Sequence, residues 1–293
     1  MAKLSAVIIT RDEEADLGRA LDSVAFADER LVVDSGSRDG TVALARARGA
    51  RVLHREFDGF GPQKRWATAQ AAHDWILALD ADEEVDAELG AAIRALLAGE
   101  PARAAYRLCF RTVFLGRPFT HGSLSRGHHV RLFDRRRAGW DDAPIHEKVQ
   151  AVGPVGALPG LVLHRTVRDL ADALGKMDRY SAATAAGLHA RGVRRGRLAT
   201  VLAGPFHFLR SGVLKGNLLN GYPGLAWSLL AGASATIKNL RLEELWRASD
   251  ALDPGGSLAS GGPRPQGLRA AAADAGRAPP AGAPALTASG PSR

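Results

Sequence analysis

Cysteine occurs once in the 293 residues, at Cys109. One thiol excludes an internal disulfide framework and any metal cluster built on several cysteines, and nothing calls for an oxidising compartment. The chain therefore reads as intracellular. Long hydrophobic runs are missing too. The apolar stretch that opens at Ala6 ends at Ile9, too short for a secretory signal and better suited to a first strand. The longest uncharged segment, residues 216–237, is interrupted by Asn217, Asn220 and a Gly-Pro-Gly turn, so no helix of about 20 apolar residues is expected to span a membrane. Aromatics are scarce at 6% and end before residue 254. From there 30 of 40 residues are Gly, Ala, Pro or Ser, a composition that cannot bury a core and predicts a disordered tail.

Charge is plentiful and unevenly placed. Residues 1–100 carry 12 Lys and Arg against 19 Asp and Glu, whereas residues 101–293 carry 27 against 12. A basic second half suits nucleic acid, anionic lipid or a phosphorylated substrate, or is simply a solvated face. The Arg-rich segment has no interleaved aromatics and no helix-turn-helix or zinc pattern, so nucleic acid is not expected.

Apolar runs at residues 4–9, 30–33, 51–53 and 75–79 alternate with helical spacing over residues 15–24, 42–48 and about 63–72. This rhythm predicts an α/β fold, a Rossmann-like, mostly parallel sheet with helices on both faces. Ligands of such sheets sit at the carboxyl ends of the strands. Beyond residue 100 the pattern changes to short strands at 104–114, 130–133, 147–152 and 161–164. A helix follows over 167–191, then an apolar, basic helical stretch over 198–245 with interruptions at Gly204-Pro205 and at Gly221-Tyr222-Pro223-Gly224. Four regions are expected: 1–100, 101–190, a basic apolar helical part at 191–250 and the tail at 251–293. Apolar helices flanked by Arg and Lys suit in-plane contact with a membrane, or a packed helical subdomain.

Three polar clusters fall at strand ends. Asp80-Ala81-Asp82 follows a fully apolar run, and two carboxylates at that spacing can face one hard cation, Mg²⁺ or Mn²⁺, that leaves sites free for diphosphate oxygens. A solvated turn or helix cap is the plain alternative. The Asp34-Ser35-Gly36-Ser37-Arg38-Asp39-Gly40-Thr41 cluster has small residues that let backbone approach a ligand and a carboxylate able to accept from a base N–H. Thr10-Arg11-Asp12-Glu13-Glu14 is the third, and Lys64 and Arg65 begin a helix near the same edge.

Taken in order, Val7 to Glu14, Val32 to Thr41 and Leu79-Asp80-Ala81-Asp82-Glu83 resemble the nucleotide-sugar half of a family 2 glycosyltransferase of the GT-A fold. Arg131-Leu132-Phe133, the segment from Asp141 to Val149, Leu163-His164 and Lys176-Met177-Asp178-Arg179-Tyr180-Ser181 resemble the branch that includes lipopolysaccharide core β-1,4-glucosyltransferases. The resemblance covers about residues 3–246. It implies an inverting transfer of a sugar, glucose from UDP-glucose, to a lipopolysaccharide core or other lipid-linked acceptor. Thr10, Arg11, Glu13, Asp34, Gly36, Lys64 and Asp80 would then bind the nucleotide-sugar donor, and Asp82, Asp80 and His164 would hold the divalent cation. The family usually has Asn where this chain has Asp12.

Inversion needs a carboxylate that takes the acceptor hydroxyl's proton. Glu147, beside His146, is the first candidate because family members carry this His-Glu pair, and Asp142 is the second. An acceptor on the inner face of the cytoplasmic membrane would give the basic residues Arg194, Arg195, Arg197, Arg210 and Lys215 a role at an anionic surface, with the enzyme cytoplasmic and peripheral. Polyprenyl-phosphate or exopolysaccharide acceptors stay open. So does a phosphohydrolase of the haloacid dehalogenase type, whose motif also begins with an apolar strand and Asp-x-Asp, and so does a non-catalytic nucleotide-sugar binder.

Overall fold

Every side chain of the first strand, β1 (Leu4–Thr10), is buried, which requires both faces of its sheet to be covered. The computed structural model describes residues 2–141 and 147–252, and the chain divides into two compact units, one ending at Thr166 and the other starting at Val167. The first unit continues with α1 (Glu14–Ser23), β2 (Glu29–Asp34), α2 (Thr41–Ala47), β3 (Arg51–His54), α3 (Phe60–Ala69), β4 (Trp75–Asp80), β5 (Glu83–Val85) and α4 (Ala87–Ala98). It ends with β6 (Ala105–Phe114), β7 (Arg117–Pro118), β8 (Gly127–Asp134), β9 (Ala138–Trp140), β10 (Val149–Ala151) and β11 (Gly156–His164).

Nine strands form one sheet in the order β3-β2-β1-β4-β8-β6-β11-β5, with β7 on β6, while β9 and β10 pair separately. The parallel sheet expected from the strand-helix rhythm is the run β3-β2-β1-β4. Past β4 the sheet takes antiparallel neighbours at β8 and β6, then a parallel β11. Alternation along β1 sends Ala6 and Ile8 to one face, against Leu17 and Leu21 of α1, Ala45 of α2 and Leu89 and Ile93 of α4. Val7 and Ile9 face the other way, into a cluster with Ala67 of α3, Phe133 and Trp140. Helices thus lie on both faces, as expected.

Two local features differ from the sequence reading. Helix α3 starts at Phe60 and takes in Pro62, because proline in a first turn costs no hydrogen bond. A short strand, β5, hides in the acidic string after β4 and is stabilised by antiparallel pairing of Glu83 with His164. Asp86 caps α4 by accepting from the Leu89 N–H at 2.8 Å, and β11 crosses that turn at Gly160, where a Cβ would sit 2.3 Å from the Leu89 nitrogen.

The second unit holds α5 (Leu170–Ala190), α6 (Arg197–Leu209), a π-helical turn (Arg210–Leu214), a 3-10 turn (Asn217–Asn220) and α7 (Tyr222–Leu252). Asp169 caps α5 through the Asp172 N–H. Gly204-Pro205 does not interrupt α6, contrary to expectation. The helix is held through that point by its contact with α7, where a Cβ on Gly204 would meet Thr236 Oγ1 at 2.7 Å and one on Gly232 would meet the Gly204 carbonyl at 2.8 Å. With its small residues turned to α7, α6 exposes Leu198, Val201, Leu202, Phe206 and Leu209. Among the described residues no helix is long and apolar enough to cross a membrane. The tail from residue 253 lies outside the described residues.

Candidate active site

Strand register brings the polar clusters to one edge. Thr10 at the end of β1 lies opposite Asp34 at the end of β2, Asp34 lies opposite His54 at the end of β3, and Asp80 at the end of β4 lies opposite Ile9. All are at the carboxyl ends of parallel strands, where chain reversal leaves room for a ligand.

The loops after β1 and β2 hold each other. The Ser37 hydroxyl accepts from the Asp12 N–H at 2.9 Å, and Asp12 Oδ1 accepts from the Arg38 N–H at 2.7 Å. Asp39 Oδ2 accepts from the Glu14 N–H at 3.2 Å, Glu14 Oε2 from the Gly40 N–H at 2.9 Å, and Thr41 Oγ1 from the Glu13 N–H at 2.9 Å. Asp12 has φ 54°, a conformation that Asn and Asp adopt more readily than other side chains. Asp34 serves its own turn first: its carboxylate accepts from the N–H groups of Gly36 and Ser37 and from the Ser37 hydroxyl. Gly36, at φ 86°, makes that turn possible. Arg11 lies 3.9 Å from Asp12, and Glu13 is buried.

Behind this edge lies a buried cluster of charge. Lys64 Nζ of α3 is 3.0 Å from Asp80 Oδ1 and 2.7 Å from Glu147 Oε1. It stands over the Trp140 ring at 5.2 Å. Arg131 of β8 places Nη2 3.3 Å from Asp80 Oδ2 and 3.4 Å from Glu83 Oε1, with its guanidinium over the rings of Phe110 and Trp140. Burial disfavours ionised Asp80, yet Lys64 and Arg131 outweigh it and hold the carboxyl well below the usual range. For Glu83, burial and the Asp80 charge win over Arg131 and push its pKa up.

Asp82 is set apart from Asp80. Its Oδ2 is 3.2 Å from His164 Nε2, while the buried Oδ1 has no hydrogen-bond partner among the described residues. Burial alone would lower the His164 pKa, but Asp82, Glu83 and Asp80 raise it to about 9. A buried carboxylate oxygen without a donor, beside a ring nitrogen that can ligate once a cation displaces its proton, suits a metal ion with oxygen and imidazole ligands. No group of three or more His, Cys, Asp and Glu that could by itself enclose a metal occurs among the described residues.

The structure therefore brings together Thr10, Asp34, Lys64, Asp80, Asp82, Glu147 and His164 around one edge of the first unit. Asp142 and His146 lie outside the described residues. Sequence reading assigned no role to Arg131, Glu83 or Gln63. Gln63 is fully buried, donates to Ser35 Oγ at 3.0 Å and leaves Oε1 without a partner. For Arg131 a signal existed: an arginine inside the strand sequence Val130-Arg131-Leu132-Phe133 has to be paired to be tolerated there.

Comparison with known proteins gives this edge a context. The model of Glycosyl transferase family 2 matches residues 5–146. The lipopolysaccharide core biosynthesis glycosyltransferase LpsC of Rhizobium meliloti is 30% identical over 71% of this chain and 79% of its own length. An uncharacterized glycosyltransferase of Rickettsia typhi is 28% identical over 84% of this chain and 88% of its own. Among solved structures, glucosyl-3-phosphoglycerate synthase of Mycobacterium tuberculosis, crystallised with Mn²⁺, UDP and glucosyl-3-phosphoglycerate, is 22% identical with a TM-score of 0.39, covering 67% of this chain and 82% of that one. The strand order with β8 antiparallel beside β4 is that of a GT-A-like α/β fold, and the chain belongs to glycosyl transferase family 2.

Proposed function

We propose that the first unit binds a nucleotide-sugar, UDP-glucose, along the edge from Thr10 to Asp80 and transfers the sugar with inversion to a lipopolysaccharide-core or other lipid-linked acceptor. The observation that carries this reading is the division of charge at the edge: Asp82 keeps a buried oxygen free beside His164, while Asp80 is matched by Lys64 and Arg131. The family relative named for lipopolysaccharide core biosynthesis supports the acceptor class.

In this reading Asp82, Asp80 and His164 would hold Mg²⁺ or Mn²⁺, which when bound supplies a Lewis acid for the departing diphosphate. Lys64 and Arg131 supply fixed positive charge where negative charge develops on the leaving group. Glu147 takes the proton from the acceptor hydroxyl, and its ion pair with Lys64 orients it. Thr10, Arg11, Glu13, Asp34 and Gly36 form the nucleoside side of the pocket, with Asp34 fixing the turn whose backbone faces the donor.

The test is a panel of UDP-, GDP- and ADP-sugars with and without Mn²⁺, read by thermal unfolding, since a ligand stabilises by RT ln(1 + [L]/Kd). A metal-dependent rise with UDP-glucose is expected. Asp82→Asn should lose it, and Glu147→Gln should keep it while losing transfer. Loss of donor binding in both variants would overturn this division of roles.

The second unit, in the same proposal, rests on an anionic membrane surface at the cytoplasmic face. Residues 179–242 contain nine Lys and Arg and no Asp or Glu, and the outward stripe of α6 is apolar, with Leu198 72% and Phe206 58% exposed. Basic residues around an apolar face favour in-plane binding to anionic lipid. Flotation with phosphatidylglycerol-containing vesicles but not with pure phosphatidylcholine is the expected result, and absence of flotation with either would remove this part.

A further inference from the structure

A cavity of about 280 Å³ opens in the second unit where the start of α6 meets α7. Its polar lining is Arg195, His207, Lys238 and Asn239, and its apolar lining includes Leu202 and Phe206. The charges there are all of one sign. Nearby arginines are neutralised: Arg194 by Asp250 at 2.7 Å, Arg241 by Asp178, Arg247 by Glu243 at 2.5 Å. Among the described residues no carboxylate lies within ion-pair distance of Arg195, His207 or Lys238, and none is present in sequence from 179 to 242.

The cost of this arrangement shows in the side chains themselves. Burial, then Arg195, lowers the Lys238 pKa, and burial, then Lys238, Arg210 and Lys215, lowers that of His207. Cations gathered in a half-buried cavity raise one another's free energy unless an anion joins them. The apolar rim points to what kind of anion. Leu202 and Phe206 belong both to the cavity wall and to the exposed stripe of α6 that continues through Leu198, Val201 and Leu209. A phosphate seated between the Arg195 and Lys238 cations, beside the His207 ring, would have hydrocarbon surface leading directly away from it.

We propose that this cavity binds the phosphate head of a single anionic phospholipid, with the acyl chains laid along the outward face of α6. Arg195 and Lys238 contribute charge, His207 and Asn239 contribute hydrogen-bond donors, and Leu202 and Phe206 contact the first methylenes. The site rests on the membrane-face reading for the placement of the chains, and on nothing in the sugar-transfer reading.

The experiment uses the full chain and three soluble probes in isothermal titration: dihexanoyl phosphatidic acid below its micelle concentration, dihexanoyl phosphatidylcholine and inorganic phosphate. Phosphatidic acid should bind at one site per chain, and phosphatidylcholine should bind about tenfold or more weakly for want of a net negative head. Inorganic phosphate should also be weaker, because it forgoes the apolar contacts. Lys238→Gln should weaken phosphatidic acid about tenfold, Lys238→Arg should restore most of it, and Arg191→Gln, an equal loss of charge outside the cavity, should leave it unchanged. Equal binding of the two lipids would show an apolar contact only. Phosphate binding as tightly as phosphatidic acid would show a free-anion site. Either result overturns the proposal, even if the Lys238 variants do not fold. UDP-glucose stabilisation and vesicle flotation, measured on the same protein, report separately on the transferase reading and the membrane face.

Discussion

Lys64 and Glu147 stand 83 residues apart in sequence and 2.7 Å apart in space. The same ammonium is 3.0 Å from Asp80, so one buried cation ties helix α3 to the end of β4 and to the segment before β10. Lys64→Met leaves two carboxylates short of a partner in a place water reaches poorly. The expected loss of stability is about 3–5 kcal/mol, the cost of breaking a buried pair from one side. Urea unfolding measures it, and a midpoint equal to that of the natural chain would show the pair to be dispensable.

Arg131 serves two carboxylates and two rings at once, which a planar guanidinium can do and an ammonium cannot. Arg131→Lys is expected to keep the charge and still cost about 2 kcal/mol, the worth of a hydrogen bond to a charged group. Metal-dependent stabilisation by UDP-glucose should fall with it. A variant with unchanged unfolding and unchanged donor response would contradict the bridging role.

Glu29 gives the fold an acid limit. Its carboxylate accepts from the Ser5 hydroxyl at 2.5 Å, from the Ala72 N–H at 2.6 Å and from Arg51 at 2.9 Å. Burial opposes ionisation, but these donors prevail and lower its pKa below the ordinary 4.5. A depressed folded pKa means stability that is present above 4.5 and is lost as the pH falls through the folded value. Glu29→Gln should be less stable than the natural chain by about 1–3 kcal/mol near neutrality, with the gap closing in acid. Unfolding curves collected from pH 7 downward test the sign.

Gly160 and Gly153 both have positive φ, at 89° and 82°, yet their surroundings differ. A Cβ at Gly160 would lie 2.3 Å from the Leu89 nitrogen and 2.6 Å from its Cα, whereas one at Gly153 would meet nothing within 4 Å. Gly153→Ala should cost about 1 kcal/mol, the backbone penalty alone, and Gly160→Ala about 3 kcal/mol or more because β11 and α4 must separate. Similar melting temperatures for the two would refute the clash.

The strands of the parallel run were legible. Trp75-Ile76-Leu77-Ala78-Leu79 is apolar at every position because β4 is covered on both faces, and a break from such a run into acids marks a strand end. The three motifs around Thr10, Asp34 and Asp80 meet because parallel register brings strand ends level. β5 was hidden, since Glu83-Glu84-Val85 becomes a strand only through pairing with β11 some 80 residues on. The same distance concealed the partners of Arg131: its place in a strand is local information, and the carboxylates that neutralise it are not. Continuity of α6 through Gly204-Pro205 was equally out of reach, because the compensating contact is made by α7.

The reciprocal bonding of the loops that follow β1 and β2 restricts how this protein can be recombined. A chimera whose crossover falls between residues 14 and 37 takes Asp12 and Glu14 from one parent and Ser37, Asp39 and Thr41 from the other, so every bond of the set crosses the graft. Breakpoints after residue 41 transplant the two loops as one inheritable piece, and libraries cut there will yield more folded members than those cut within it.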